Sequence, residues 1–331
     1  MLDLPAIARS LVAPGKGLLA ADESTPTATK RLASYGIAAS EEMRRQYRAL
    51  FLGAQGIENY LSGVILFDET FGQKGDDGKL FPASLRARGV LPGIKVDEGT
   101  EPFSADPADE LITKGLIGLP ERLAGYAARG AAFTKWRAVI RIDGTRLPTA
   151  LALHENAKRL AVYAKEAQAS GLVPVLEPEV LLAGNHARQR ARAVIEETLG
   201  TVFAVLAEHS VDPAGVILKT AMALSGSESG KKDTPEEVAL GTVAALMARV
   251  PKDVAGIVFL SGGQTPEEAT ENLAAISRRA REAGAPWPLT FSYARALQEE
   301  ALALWKGKEE NVEAARAAFL SRLVAVSAAL G

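Results

Sequence analysis

Cysteine is absent from the 331 residues. That excludes a disulfide framework, a thiolate metal site and a cysteine nucleophile, and it fits a reducing cytoplasm. Histidine is scarce: His154, His186 and His209 all fall in helical or loop patterns rather than at strand ends. Surface positions are expected for them, and no transition-metal constellation forms. An excess of one charge is also missing. Lys plus Arg total 38 against 40 for Asp plus Glu, a net charge of −2, so there is no basic footprint for nucleic acid. No apolar run is long enough to cross a bilayer. The opening MLDLPAIARSLVAPGKG lacks the basic flank and unbroken apolar core of a signal peptide, so membrane and export are set aside and a cytoplasmic location is expected. A GxGxxG after a first strand is absent too, which removes the support for a dinucleotide. Neither metal nor organic cofactor is expected.

What is present is an ordinary globular composition, 47% hydrophobic and 24% charged. The length suits about two domains or one large barrel. Short apolar runs that begin after turn residues and end in polar ones recur eight times: GLLAAD, SGVILFDE, GIKVD, FTKWRAVI, VPVLEPE, GVILKT, GIVFLS and LTFSYAR. Continuous Val, Ile and Leu in such runs predict strands buried on both faces, as in a parallel sheet covered by helices. Helical spacing of apolar residues fills the intervals, as over 40–54, 150–169 and 186–208. Thr234-Pro235-Glu236-Glu237 and Thr265-Pro266-Glu267-Glu268 each predict a helix start, with Thr at the N-cap, Pro next and Glu three residues on. Strand then helix, repeated without a linker or low-complexity tract, predicts an α/β chain forming a single (β/α)8 TIM barrel over 1–331. A doubly wound open sheet is the alternative.

The strands carry charge where a core is expected. Residues two apart share a strand face, so Lys135 and Arg137 point one way, with Trp136 opposite, and Glu177 and Glu179 point one way from the next strand. Desolvating any of these unpaired would cost several kcal/mol, on the order of what burying an ion costs. A structural ion-pair plug would explain the four residues taken alone. Asp22, Lys95, Lys219 and Arg295, however, also sit at or near C-terminal strand ends, which in a barrel ring one pocket. Lys219 follows GVIL directly, so its stem is expected to be buried. Burial and a nearby cation such as Lys135 favour the neutral amine that a Schiff-base nucleophile requires. Imine chemistry also moves protons on and off oxygen, and Glu177 with Glu179 could carry them. Alone, Lys219 reads equally as a lysine snorkelling to solvent, and Asp22 as the N-cap of the following turn.

The last two strand exits suit an anion. Ser261-Gly262-Gly263 lets backbone N–H groups approach a phosphate, and Ala294-Arg295 adds an N–H and a guanidinium, at the frequent phosphate site of this barrel. Lys95, Ser24, Thr27 and Arg31 could hold a second anionic group across the mouth, whereas Lys30 reads as a solvated helix face.

The segments APGKGLLAADEST, GVILFDET, GIKVD, KWR, ENAKRLAVYA, VLEPE, ILK, FLSGGQ and FSYARAL stand in the order in which the class I, Schiff-base fructose-1,6-bisphosphate aldolases carry them. The chain resembles that family from about Ala13 to Ala328. The resemblance implies that Lys219 is the Schiff-base lysine and Glu177 the main acid/base, with Lys135 and Glu179 as its supporting network and Asp22 near the substrate C4 hydroxyl. It implies phosphate contacts from Ser261, Gly262, Ala294 and Arg295. Ser292, Lys95, Ser24, Thr27, Arg31 and Arg137 surround the rest of the sugar bisphosphate. It further implies metal-independent, reversible cleavage of fructose 1,6-bisphosphate to dihydroxyacetone phosphate and glyceraldehyde 3-phosphate by a homotetramer. Fructose 1-phosphate, sedoheptulose 1,7-bisphosphate or a non-catalytic sugar-phosphate scaffold are the alternatives.

Three departures from the family pattern stand out. Ala294 replaces a usual glycine, which threatens the backbone approach to phosphate. Lys219 is followed by Thr220-Ala221-Met222 where animal members have Pro-Asn-Met. The sequence as given ends at Gly331, short of the tail ending in tyrosine that many animal members fold over the site. Enamine protonation is therefore expected to fall to water or to Glu177 and Lys135.

Overall fold

The computed structural model describes residues 3–103 and 110–331. Eight parallel strands close into a barrel: β1 (Gly17–Ala21), β2 (Leu61–Leu66), β3 (Leu91–Lys95), β4 (Phe133–Ile140), β5 (Val173–Val180), β6 (Ile217–Thr220), β7 (Gly256–Phe259) and β8 (Leu289–Tyr293). Each pairs with the next along the chain, and β8 returns to β1. This is the (β/α)8 barrel that the eight apolar runs predict.

The period of two along each strand sorts side chains between two cores. Leu18, Ala20, Ile65, Phe133, Val173, Val175, Ile217 and Val258 point inward and fill the lower barrel. Ala8, Leu11 and Val12, from and just past the helix Leu4–Leu11, close its base. Phe133 has room because Gly93 faces it: a Cβ there would stand 2.3 Å from the ring. Leu19, Trp136, Leu176, Leu218 and Phe259 point outward into a larger core shared with the helices. Trp136 stacks on Tyr163 of the helix Ala150–Ala169 with ring centroids 5.4 Å apart, opposite the cations of β4 as its position predicts. The inward rows continue upward from apolar to charged, from Phe133 to Lys135 and Arg137, from Val175 to Glu177 and Glu179, and from Ile217 to Lys219.

Both helix starts carry the expected reciprocal caps. Thr234 accepts from Glu237 N–H and Glu237 accepts from Thr234 N–H, and Thr265 with Glu268 does the same. The predicted helices begin one or two residues late, at Glu41 and Arg188, because Ser40 and Ala187 serve as their N-caps. A two-stranded antiparallel piece, Thr100–Pro102 with Leu111–Thr113, lies in the β3–β4 connection. At three residues per strand it shows no readable alternation. The helix Glu41–Leu52 packs on the C-terminal helices Arg295–Trp305 and Val312–Ala328, with the Phe51 and Phe319 rings 4.9 Å apart.

One histidine departs from expectation. His154 is exposed and His209 half-buried, but His186 is buried. The segment after β6 folds over it, with Gly226 N–H donating to His186 O at 2.8 Å and Ser227 N–H to Leu182 O at 2.9 Å. Among the described residues no helix is long and apolar enough to cross a membrane.

Candidate active site

The C-terminal strand ends open on a cavity of about 1410 Å³ that reaches all the charged residues the sequence singles out. At its floor lie four nearly buried ionic groups. Lys219 Nζ stands 2.8 Å from Glu177 Oε1, while Lys135 Nζ stands 2.9 Å from Glu177 Oε2 and 2.7 Å from Asp22 Oδ2. Two cations and two carboxylates balance, which is what makes their burial tolerable. The strand register explains the contacts. Arg137 pairs with Glu177 and Val139 with Glu179, so Lys135 and Arg137 each reach the carboxylate two residues further along β5. Arg137 Nε thus binds Glu179.

These neighbours set the charge states. Burial raises the Asp22 carboxyl, but Lys135, Lys219 and Lys95 more than reverse this and hold it at about 2. Burial likewise works against ionisation of Glu177, and Lys135, Lys219 and Arg137 overcome it, leaving its carboxyl below the usual range. Burial opposes charge on Lys135 too, yet Asp22 and Glu177 push its ammonium well above the ordinary lysine value. Lys135 is therefore fixed as a cation between two carboxylates, whereas Lys219 touches one.

Linkage gives a stability prediction. Because the folded-state value of Asp22 is depressed, its contribution is fully present above the unfolded value near 4 and is lost as pH falls through about 2. A shift from 3.8 to about 2 corresponds to about 2 kcal/mol. Urea unfolding of wild type and Asp22→Asn at steps below pH 5 should show the wild type losing stability faster. Equal slopes would mean that the Asp22–Lys135 pair is not formed in solution.

Asp22 does not cap the following helix. That position belongs to Ser24, ahead of Thr25–Ser34, and the Ser24 and Thr27 hydroxyls lie 3.0 Å apart at the mouth. Arg31, on the same helix, is held by Glu23 at 2.7 Å and by Gln298 Oε1 at 2.7 Å. Arg48 and Tyr47 also converge on Glu23. Lys30 is exposed, as its helix position predicts. Lys95 is tied to the carboxylate of Asp97 and to its carbonyl at 2.8 Å, and Asp97 also accepts from Arg137 N–H at 3.3 Å. Sequence reasoning missed Glu23 and Asp97. Glu23 stands between the chosen Asp22 and Ser24 in AADES, and Asp97 stands two residues after the chosen Lys95 in GIKVD, a spacing that was the available signal for Asp97.

The exits of β7 and β8 meet on the far side. Gly262 and Gly263 take φ of +59° and +99°, a left-handed path that favours glycine. Ala294 sits at φ −105°, so the methyl group that replaces the family's glycine carries no left-handed strain. It is the N-cap of Arg295–Trp305, and no side chain caps that helix start, the end of a helix that favours an anion. Among the described residues, Ser292 Oγ is buried without a hydrogen-bond partner and Arg295 has no acidic partner. No group of three or more His, Cys, Asp or Glu among the described residues is placed to hold a metal ion.

Comparison with known proteins agrees along the whole chain. The family model described as fructose-bisphosphate aldolase class-I matches residues 3–331. The sequence is 48% identical over 327 residues to fructose-bisphosphate aldolase 4, cytosolic, of Arabidopsis thaliana, covering 99% of this chain and 82% of that protein. It is 48% identical over 323 residues to fructose-bisphosphate aldolase 1 of Caenorhabditis elegans, covering 97% and 87%. A crystal structure of fructose-bisphosphate aldolase from Plasmodium falciparum, in complex with TRAP and a small molecule inhibitor, superposes with a TM-score of 0.95 at 43% identity. That match covers 99% of this chain and 93% of the other.

Proposed function

Since the chain belongs to the class I fructose-bisphosphate aldolase family and carries a buried lysine against a buried carboxylate, we propose that Lys219 is the nucleophile in its reversible cleavage of fructose 1,6-bisphosphate. The observation that carries this assignment is the asymmetry of the two lysines. Lys135 is bridged by two carboxylates and locked as a cation, while Lys219 meets one carboxylate oxygen that can take its proton.

The amine of Lys219 attacks the C2 ketone, forming a C–N bond. The resulting carbinolamine loses its hydroxyl as water to give a protonated imine. Glu177, within hydrogen-bond distance of Nζ, removes the proton from the ammonium and returns one to the departing hydroxyl. Asp22 accepts a hydrogen bond from the C4 hydroxyl and orients it. As that proton passes to Glu177, the C3–C4 bond breaks, its electron pair moves into the imine, and glyceraldehyde 3-phosphate leaves. The enamine left on Lys219 is protonated at C3 and hydrolysed to release dihydroxyacetone phosphate. Lys135 keeps a positive charge between Asp22 and Glu177 throughout, and Arg137, bound to Glu179, adds a further cation that favours the charged form of Glu177.

The phosphate next to the ketone is read onto Ser261, Gly262, Ser292, Ala294 and Arg295, and the second onto Ser24, Thr27, Arg31 and Lys95. Arg31 and Lys95 must then trade part of their hold on Glu23 and Asp97 for the substrate. Arg295→Ala removes a charged donor, an interaction worth about 1.5 to 3 kcal/mol, so kcat/KM should fall about ten- to over a hundredfold. Unchanged steady-state kinetics with fructose bisphosphate would place the anion elsewhere. Residues 1–331 are read as one barrel domain. A cytoplasmic homotetramer is the assembly read from the family, supported by relatives named cytosolic and by the apolar side chains of Ile117 and Leu151, 94% and 74% exposed.

A further inference from the structure

We propose that Gln264 is a positioning residue that aims the Gly262 N–H at the substrate phosphate; this rests on the reading of Ser261 and Gly262 as phosphate contacts. Two successive glycines in left-handed conformations make a loop that can present N–H groups to an anion. They have no side chains with which to hold that shape. An external brace is therefore needed, and the structure supplies one.

Gln264 is buried, and every polar group of its side chain is engaged. Its Nε2 donates to Ser261 O at 2.9 Å, and its own backbone N–H donates to the same carbonyl at 3.0 Å. Its Oε1 accepts from Asn272 Nδ2 at 2.6 Å, so the amide is fixed in one orientation by the helix Pro266–Glu282. Nε2 also lies 3.6 Å from Met222 Sδ, three residues past Lys219, which ties the exit of β7 to that of β6. Ser261 C=O and Gly262 N–H belong to one planar trans peptide and point in opposite directions. Holding the carbonyl toward the protein with two donors therefore turns the N–H outward, on the side where Ser261 and Gly262 line the cavity. A buried amide costs free energy unless its groups are satisfied. An apolar side chain could fill this space without that demand, but could not hold the peptide.

The test compares Gln264→Met, which keeps the side-chain length and loses the donor, with Asn272→Ala, which leaves Gln264 in place but unheld, and with Arg295→Ala. Three readouts are taken on the full enzyme. They are KM and kcat with fructose bisphosphate, inhibition by inorganic phosphate, and borohydride inactivation in the presence of dihydroxyacetone, a ketone without phosphate. Gln264→Met should raise KM and the phosphate inhibition constant together by about three- to tenfold, the range of one hydrogen bond. Its kcat and its inactivation with dihydroxyacetone should stay at the wild-type value. Asn272→Ala should move the same two quantities by about twofold, and it decides in place of Gln264→Met if that variant does not fold. A general loosening of the barrel would instead slow inactivation and kcat as well, and that pattern overturns the proposal. So does wild-type phosphate inhibition in both variants while Arg295→Ala weakens it, which leaves the phosphate assignment standing. If Arg295→Ala also leaves phosphate inhibition unchanged, the phosphate assignment itself fails and takes the role of Gln264 with it.

Discussion

Lys219→Met should lose turnover of fructose bisphosphate on the order of a millionfold, the scale seen when a covalent nucleophile is removed. It should also no longer form a borohydride-stable adduct with dihydroxyacetone phosphate. In wild type the same treatment should leave one adduct, and peptide mapping should place it on Lys219. The expectation follows from the surroundings of the three candidate lysines. Lys135 Nζ lies between Asp22 and Glu177, and losing its proton would leave two buried carboxylates with one cation fewer. Lys95 is tied to Asp97, outside the floor of the cavity. Passing a proton from Lys219 to Glu177 neutralises both groups together and leaves the Lys135 cation paired with Asp22. An adduct on Lys135 or Lys95, or substantial activity in Lys219→Met, would end the assignment. The methionine is chosen because it keeps the volume at a site that is 4% exposed, so a fold defect is not the reason for the loss.

The barrel was legible because its strands are buried on both faces. Continuous apolar runs such as GIVF and GVIL point to strands of a covered parallel sheet, and a count of eight favoured closure into a barrel over an open sheet. Lys135, Arg137, Glu177 and Glu179 were legible for the opposite reason, as charges at inward positions of such runs. Pairing partners were harder to read. That Lys135 meets Glu177 while Arg137 meets Glu179 depends on a two-residue offset between β4 and β5, and register is not written in either strand alone. Glu23 escaped notice because its partners Arg31, Arg48 and Tyr47 arrive from two separate helices, Thr25–Ser34 and Glu41–Leu52. His186 was misplaced since its burial comes from a loop after β6 folding back over the loop after β5, a contact no local pattern announces. Gln264 was passed over as the last letter of SGGQ; its meaning depends on Asn272, eight residues on and about two turns into the next helix.

Glu177→Gln and Asp22→Asn should separate the two carboxylates that flank Lys135. Glu177 touches Lys219 Nζ, so it is the group able to move protons during imine formation, and in the proposed mechanism it also receives the C4 hydroxyl proton. Its replacement by an amide keeps the shape but removes the base, which should lower kcat by about 10² to 10⁴, the range for a general acid–base group. Borohydride trapping with dihydroxyacetone phosphate should slow in parallel, since dehydration of the carbinolamine needs the same proton. Asp22 contacts Lys135 and not the nucleophile, and its carboxyl is held at about 2. Asp22→Asn should therefore form the Schiff base with dihydroxyacetone phosphate at close to the wild-type rate, yet cleave fructose bisphosphate poorly, because the C4 hydroxyl loses the acceptor that orients it. In single-turnover mixing, that variant should accumulate the imine of the six-carbon sugar, whereas Glu177→Gln should not reach it. The reverse pattern, with rapid trapping in Glu177→Gln and slow trapping in Asp22→Asn, would assign the proton shuttle at nitrogen to Asp22. The distance of 2.8 Å between Glu177 and Lys219 would then have only a structural use.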